Sequence, residues 1–144
     1  VINLEGWVGS TTGIPITLKF RPVGGAPGSE VLTTVVNLTA TSTYSVTTSL
    51  PSGNYDILAD GSIWLQKKQG NVNATVPAVT VNFNLTVGDL DGDEEITNFD
   101  YSIWAINNGS TATPGTNGDL DGDGEVTNFD YSLWASNNGL LGDP

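Results

Sequence analysis

A block of eighteen residues occurs twice in the second half of the chain, with the two copies thirty positions apart. The copies run from 88 to 105 and from 118 to 135, and they differ only at positions 94/124, 96/126 and 103/133. Each copy consists of an acidic loop and one short predicted helix, which is too little chain to bury a core of its own. The two copies must therefore pack against each other.

The acidic residues of each copy recur at the spacing of a twelve-residue calcium loop. Positions 1, 3, 5 and 12 of the loops 89–100 and 119–130 are aspartates, position 7 offers a backbone carbonyl, and position 9 offers a hydroxyl. Oxygen ligands in this number suit calcium better than zinc or magnesium. The sequence therefore predicts two Ca²⁺ ions. The expected ligands are Asp89, Asp91, Asp93, Glu95, Thr97 and Asp100 in the first loop, and Asp119, Asp121, Asp123, Glu125, Thr127 and Asp130 in the second.

The distribution of charge supports a bound cation independently of the motif. All four basic residues precede residue 88, whereas twelve of the sixteen acidic residues follow it. Two carboxylates 4 Å apart repel each other by about 4 kcal/mol at an effective dielectric constant of 20, and a divalent ion converts that repulsion into a driving force for ordering the loop. The alternative is a solvated acidic linker, but a linker does not explain why the same twelve-residue spacing occurs in both copies. The same charge makes nucleic acid an unsuitable partner.

The repeat, residues 88–144, resembles type I dockerin modules, in which two calcium loops are each followed by a helix. The resemblance rests on the loop pattern and on Asp100 and Asp130 at loop position 12, where dockerins usually carry aspartate instead of glutamate. It implies calcium binding at both loops. Position 6 of the first loop is Glu94, whereas Gly124 keeps the glycine that supplies a left-handed backbone there. The first site is therefore expected to be distorted or weaker.

The positions with which dockerins recognise cohesin differ in this chain. Cellulosomal dockerins often carry small hydroxyl residues at loop positions 10 and 11, where this chain has Asn98-Phe99 and Asn128-Phe129. The helices also lack the lysine and arginine that those dockerins present to cohesin. The resemblance therefore implies calcium binding but does not imply cohesin binding.

Apolar residues recur at helical spacing after each loop, and we interpret them as the shared core of the helix pair. They are Phe99, Ile103 and Ile106 in the first copy, and Phe129 and Leu133 in the second. The equivalent tryptophans Trp104 and Trp134 leave two alternatives open. They either pack on the rest of the chain or form a symmetric partner-binding face.

Residues 1–87 alternate valine- and threonine-rich runs with turn signals, which predicts a seven-stranded antiparallel β-sandwich. The predicted strands are Val1–Val8, Ile14–Arg21, Val31–Leu38, Tyr44–Leu50, Tyr55–Ala59, Ile63–Lys67 and Val72–Val87. The sequence thus predicts a mainly β protein with two domains. A β-sandwich at 1–87 is followed by a small α-helical, dockerin-like pair of calcium loop–helix motifs at 88–144.

The first domain resembles the carboxypeptidase regulatory-like domains of transthyretin-like topology that occur in secreted bacterial proteins. The resemblance rests on Pro15-Ile16-Thr17-Leu18 and on the segment 50–57, Leu-Pro-Ser-Gly-Asn-Tyr-Asp-Ile. It implies a non-catalytic β domain of an extracellular protein.

Composition limits the classes of function. The chain has no histidine and no cysteine, and its serines and lysines show no nucleophile pairing, so we predict that it is not an enzyme. No apolar run approaches the ~18 residues of a membrane span, which argues against membrane insertion. Because the chain also lacks methionine, its first residue is expected to be a processed end after removal of a signal peptide. The expected location is therefore extracellular or at the cell surface.

Covalent glycans are among the candidate partners. Four Asn-x-Ser/Thr sequons begin at Asn37, Asn73, Asn84 and Asn108.

Three non-enzymatic functions remain open. In the favoured one, the chain is a structural subunit of a fibre-like extracellular assembly, joined to other copies of itself through the edge of the apolar first strand Val1–Leu4 and through dockerin-like contacts. In the second, it docks on another extracellular protein, a cohesin-like receptor. In the third, Trp7 and Trp64 stack on sugar rings and the chain is a carbohydrate-binding module.

Overall fold

The computed structural model describes residues 1–75 and 78–144. Within these residues the chain forms six strands and two helices: β1 (Ile2–Leu4), β2 (Pro15–Pro22), β3 (Leu32–Asn37), β4 (Asn54–Gly61), β5 (Trp64–Asn73), β6 (Phe83–Leu85), α1 (Asn98–Asn107) and α2 (Asn128–Asn137). The strands form a four-stranded antiparallel sheet in the order β3-β2-β4-β5 and a separate two-stranded sheet of β1 and β6. Neither helix in the described ranges is long and apolar enough to cross a membrane.

The prediction of a seven-stranded antiparallel β-sandwich followed by a dockerin-like helical pair is wrong. The described chain has two sheets of two and four strands, and β1 and β6 run parallel, with Ile2 opposite Phe83. The predicted strand Tyr44–Leu50 joins neither sheet. Its alternating apolar residues pack against the core from one side, and an irregular extended segment satisfies such one-sided burial as well as a strand in a ladder does.

The long predicted strand Val72–Val87 is also divided. Its first two residues end β5, and only Phe83–Leu85 form β6. Part of this prediction, Val76 and Pro77, lies outside the described residues. Phe83, Leu85 and Val87 are buried, so the alternation of the sequence is reproduced at this end of the segment.

One hydrophobic core joins the β part (residues 1–87) to the loop–helix part (residues 88–144). Ile96, Leu120 and Trp134 of the loop–helix part belong to the same buried cluster as Ile2 and Trp64 of the β part. Each fully buried aliphatic side chain contributes about 1.5–3 kcal/mol relative to exposure. The division into domains at residue 88 stays a prediction, but the two parts share a core.

The first strand lies inside this core. Ile2 is fully buried, and its N–H donates to the Ser42 carbonyl (2.9 Å) on the edge of β1 that faces away from β6. Burial of Ile2 in the chain's own core therefore explains the apolar start of the sequence. These apolar residues no longer support a contact with another chain through the edge of the first strand.

Candidate metal centres

Each helix begins directly after an acidic loop, at a capping box. The Thr97 hydroxyl accepts a hydrogen bond from the Phe99 N–H (3.1 Å), and the Asp100 carboxylate accepts one from the Thr97 N–H (2.7 Å). Thr127 and Asp130 repeat this arrangement at the start of α2. An N-cap of this kind stabilises a helix by about 1 kcal/mol. The two threonine hydroxyls, which were predicted to serve as ligands, are placed as helix caps.

The aspartates at loop positions 1, 3 and 5 converge in both copies. One carboxylate oxygen from each of Asp89, Asp91 and Asp93 lies within 4.8 Å of the others, and Asp119, Asp121 and Asp123 are arranged in the same way. Three anionic oxygens at this separation form a donor set for a hard cation such as Ca²⁺. The structure thus brings together six of the predicted ligand side chains in two groups of three.

The aspartates at position 12 connect the two ends of each loop. Asp100 Oδ1 accepts hydrogen bonds from the Leu90 N–H (2.6 Å) and the Asp91 N–H (3.2 Å), and Asp130 Oδ1 accepts the equivalent bonds (2.7 and 3.2 Å). Both position-12 carboxylates are buried. Each therefore closes its loop, with its negative charge beside the three-aspartate group.

The contribution of the two remaining predicted ligands, at loop position 7, stays a prediction. The side chains of Glu95 and Glu125 are exposed. This placement suits residues at loop position 7, whose expected ligand is the carbonyl oxygen.

Burial and like charges make the ionised loops costly. Burial raises the pKa of Asp121 to about 6, and repulsion from Asp130, Asp123 and Asp119 acts in the same direction. Burial is also the largest cause of the raised pKa values of Asp89 and Asp119, each of which faces a position-12 aspartate. A raised carboxyl pKa means that the charged form is destabilised. A divalent cation would remove that cost, so the residues present fit such an ion.

Glu94 keeps the backbone geometry that glycine provides in the second loop. Its φ is +67°, and that of Gly124 is +92°. Its carboxylate Oε2 accepts a hydrogen bond from the Gln66 N–H of β5 (2.6 Å). Glu94 therefore adopts the left-handed backbone that glycine supplies in the second loop, and its side chain connects the first loop to the four-stranded sheet; a distorted or weaker first site stays a prediction. No local motif signals this role, because the partner lies far away in the sequence.

The two helices pack around an approximate two-fold axis. The Trp104 indole N–H donates to the Thr127 carbonyl (2.8 Å), and the Trp134 indole N–H donates to the Thr97 carbonyl (2.9 Å). The rings of Tyr101 and Tyr131 meet edge to face on this axis, with centroids 6.2 Å apart. Both tryptophans are buried. Their indole N–H groups thus bond across the helix pair.

Several apolar residues assigned to the helix core are instead exposed. Phe99 is 72%, Ile106 is 83% and Phe129 is 56% exposed. The prediction of a shared apolar core at these positions is wrong, because the rings of the two tyrosines and two tryptophans contact one another between the helices instead and line an open cleft there. Exposed apolar side chains therefore lie on both helices, and they are called here the helix face: Phe99 and Ile106 of α1 and Phe129 of α2.

The predicted sugar-stacking pair is not available to a ligand. Trp64 is 2% exposed, and Trp7 packs edge to face against it, with ring centroids 5.3 Å apart. The four sequon asparagines, in contrast, are exposed.

Comparison with known proteins relates the fold to solved structures. No protein-family model matches the sequence, and no curated protein matches it. Two solved structures match nearly the whole chain; both are interface mutants of a type II Cohesin-X-Dockerin complex from Acetivibrio cellulolyticus. The C-terminal interface mutant has a TM-score of 0.70 and the N-terminal interface mutant one of 0.65. Each match is 18% identical and covers 97% of this chain and 93% of the other. These likenesses establish a shared fold; the transthyretin-like resemblance and the dockerin-like pair are not confirmed.

Proposed function

We propose that this chain is a non-catalytic extracellular docking module that binds two Ca²⁺ ions and holds a protein partner on its helix face. The observation that carries the proposal is the exposure of Phe99, Ile106 and Phe129 on helices that begin at the acidic loops. An apolar surface on a folded protein costs solubility unless a partner covers it, and such patches commonly mark interaction sites.

Calcium is the ion that the loops suit best. The three-aspartate groups supply carboxylate oxygens, and the carbonyls of Glu95 and Glu125 add a neutral oxygen to each loop. Bound Ca²⁺ supplies positive charge to loops that contain no lysine or arginine. Two ions would reduce the formal net charge of the chain from −12 to −8. This reduction favours the close approach of another macromolecule.

Calcium binding and docking are linked through the chain itself. Asp100 closes the first loop and also belongs to the first turn of α1, next to Phe99. Ordering of the loop by an ion therefore also orders the start of the helix that displays Phe99 and Ile106. We expect removal of calcium to weaken docking because the helix face loses its support.

The proposed partner is an extracellular protein of the cohesin kind. The structures that share this fold come from complexes named for a cohesin, an X module and a dockerin. The residues of the helix face are apolar, and each helix begins after an acidic loop that contains no lysine or arginine. A complementary partner surface would therefore combine apolar pockets with a basic rim.

Binding to a panel of cohesin modules tests this proposal. The full chain is titrated with each module in millimolar calcium and again in chelator. We expect at least one module to bind in calcium alone. Phe99→Ala and Ile106→Ser should each weaken that binding by about tenfold, since removal of a central apolar anchor typically costs more than 1 kcal/mol.

Val23→Ser is the matched control, because Val23 is also exposed (52%) but follows β2 in the four-stranded sheet. This variant should bind as the native chain does. Failure of every module to bind in calcium would contradict the proposal, as would equal binding by all three variants.

Self-assembly is a second candidate, supported by the edge of β3. Asp143 covers the opposite edge strand, β5: its N–H donates to the Gln66 carbonyl (2.8 Å), and its carboxylate accepts a hydrogen bond from the Lys68 N–H (2.9 Å). β3 is the other edge strand of this sheet, and its Val35 is 59% exposed; an edge strand can serve as a template for another strand. Light scattering over a range of concentrations in calcium tests this candidate. Concentration-dependent growth that Val35→Lys abolishes would support it, and a monomer at every concentration would exclude it.

A further inference from the structure

The two acidic loops have the same predicted ligands but different surroundings. In the second loop, Asp119, Leu120, Asp121 and Gly122 are all buried. The equivalent stretch of the first loop, residues 89–92, is buried only at Asp89 and is exposed from residue 91 onwards. The two stretches have the same sequence but differ in burial, because another part of the chain covers the second one.

The cover is the turn between β1 and β2, residues 5–10, called here the Trp7 turn. The Val8 N–H donates to the Asp121 carbonyl (2.7 Å). The Trp7 ring lies against Gly122, where an added β-carbon would come within 2.5 Å of the ring. Trp7 is itself held in place by Trp64, which belongs to the buried core.

We propose that the Trp7 turn retains the ion in the second loop, so that this loop releases Ca²⁺ slowly, while the first loop, which is exposed at residues 91–93, releases it faster. The inference rests on the calcium binding proposed above and concerns how the two sites divide that function. Release of the second ion requires the Asp121 backbone to move, and the hydrogen bond from Val8 and the contact with Trp7 resist that movement. Differences in affinity between related sites arise mostly from dissociation rates.

This difference assigns separate roles to the two loops. The second ion supports the loop that contacts the Trp7 turn of the β part. The first ion responds to the surrounding calcium concentration, and its loop leads directly into α1 and the helix face. Control of docking by calcium would therefore operate through the first loop.

A matched pair of glycine substitutions tests the inference. Gly92 and Gly122 occupy the same loop position with nearly the same φ (+77° and +74°), so a β-carbon strains both backbones equally. At Gly92 nothing lies within 4 Å of that β-carbon, whereas at Gly122 it would displace Trp7. The comparison of Gly92→Ala with Gly122→Ala therefore isolates the effect of the cover.

The measurement is calcium release from the full chain after rapid mixing with an excess of fluorescent chelator. Asp89→Ala and Asp119→Ala each remove one metal site, so the release phase that is lost in each variant belongs to the substituted loop. In the native chain we expect the second loop to release its ion at least about tenfold more slowly than the first. Gly122→Ala should accelerate second-loop release by about tenfold more than Gly92→Ala accelerates first-loop release.

Two internal checks separate loss of the cover from general damage. In Gly122→Ala the first-loop phase should keep its native rate, which shows that the rest of the chain is folded. In a Trp7→Ala background, adding Gly122→Ala should produce only the small change seen for Gly92→Ala, because the clashing ring is gone.

The outcomes distinguish this inference from the calcium assignment on which it rests. Two release phases of equal rate in the native chain, or equal effects of the two glycine substitutions, would overturn the role of the Trp7 turn and leave calcium binding intact. Absence of both phases would overturn calcium binding and the inference together.

Discussion

Substitution of Glu94 tests how the first loop is attached to the four-stranded sheet. The Glu94 carboxylate accepts a hydrogen bond from the Gln66 N–H at 2.6 Å, and its backbone adopts a left-handed conformation with φ +67°. A hydrogen bond to a charged group contributes about 1.5–3 kcal/mol, so Glu94→Ala should destabilise the fold by about 2 kcal/mol. Glycine at position 94 avoids the strain that alanine has in the left-handed conformation, but it also makes the unfolded chain more flexible. The net result is that glycine is more favourable than alanine here by about 0.5–1 kcal/mol in the free energy of unfolding.

Glu94→Gly should therefore destabilise the chain by about 1 kcal/mol, although it restores the residue usual at this loop position. Urea denaturation in millimolar calcium measures the effect. With a denaturant slope of about 1–3 kcal/mol per molar urea, Glu94→Ala should lower the midpoint by about 1 M. Gly124→Ala is the control for left-handed strain alone and should cost about 0.5–1 kcal/mol, because its φ is +92° and its added β-carbon meets only the Ala112 carbonyl oxygen, at 3.7 Å, without breaking a contact with the sheet. A midpoint for Glu94→Gly above that of the native chain would refute the reasoning, since strain would then outweigh the Gln66 contact.

Two further predictions concern pH and the first strand. The pKa of Asp121 in the folded chain is raised to about 6, above its value in the unfolded chain. Between about pH 4 and pH 6, the folded calcium-free chain therefore keeps a proton on Asp121 that the unfolded chain has lost. The stability of the calcium-free chain should fall as the pH rises through that window. Protons should correspondingly lower the calcium affinity of the second loop by about tenfold between pH 7 and pH 5 in calorimetric titrations, and a pH-independent affinity would contradict this. Deletion of residues 1–4 removes the fully buried Ile2 and should abolish cooperative thermal unfolding, whereas an unchanged melting temperature would show that β1 is dispensable.

The local geometry of the repeat could be predicted from the sequence because its contacts join residues that are close together along the chain. The spacing of Asp89, Asp91 and Asp93 determines that their oxygens converge, and Thr97 with Asp100 marks the start of α1. These relations lie within one loop and the first turn of one helix. The identity of the ion, in contrast, stays a prediction.

Features that depend on distant contacts could not be predicted in the same way. Alternating apolar residues at Tyr44–Leu50 indicate one-sided burial but do not show whether a neighbouring strand is present. Phe99 and Ile106 follow a helical period, but both are exposed, because the aromatic rings of Tyr101 and Trp104 make the contacts between the helices. The contact of Glu94 with β5 likewise depends on tertiary packing that no local pattern encodes.

Calorimetric titration of the full chain with Ca²⁺ tests the central claim most directly, because docking, retention by the Trp7 turn and the pH effect all depend on it. The account predicts two bound ions in the native chain, and one each in Asp89→Ala and Asp119→Ala. Glu30→Gln should still bind two, because Glu30 lies outside the loops and pairs with Arg21 (2.8 Å). No binding, or a stoichiometry that neither loop substitution changes, would contradict the account.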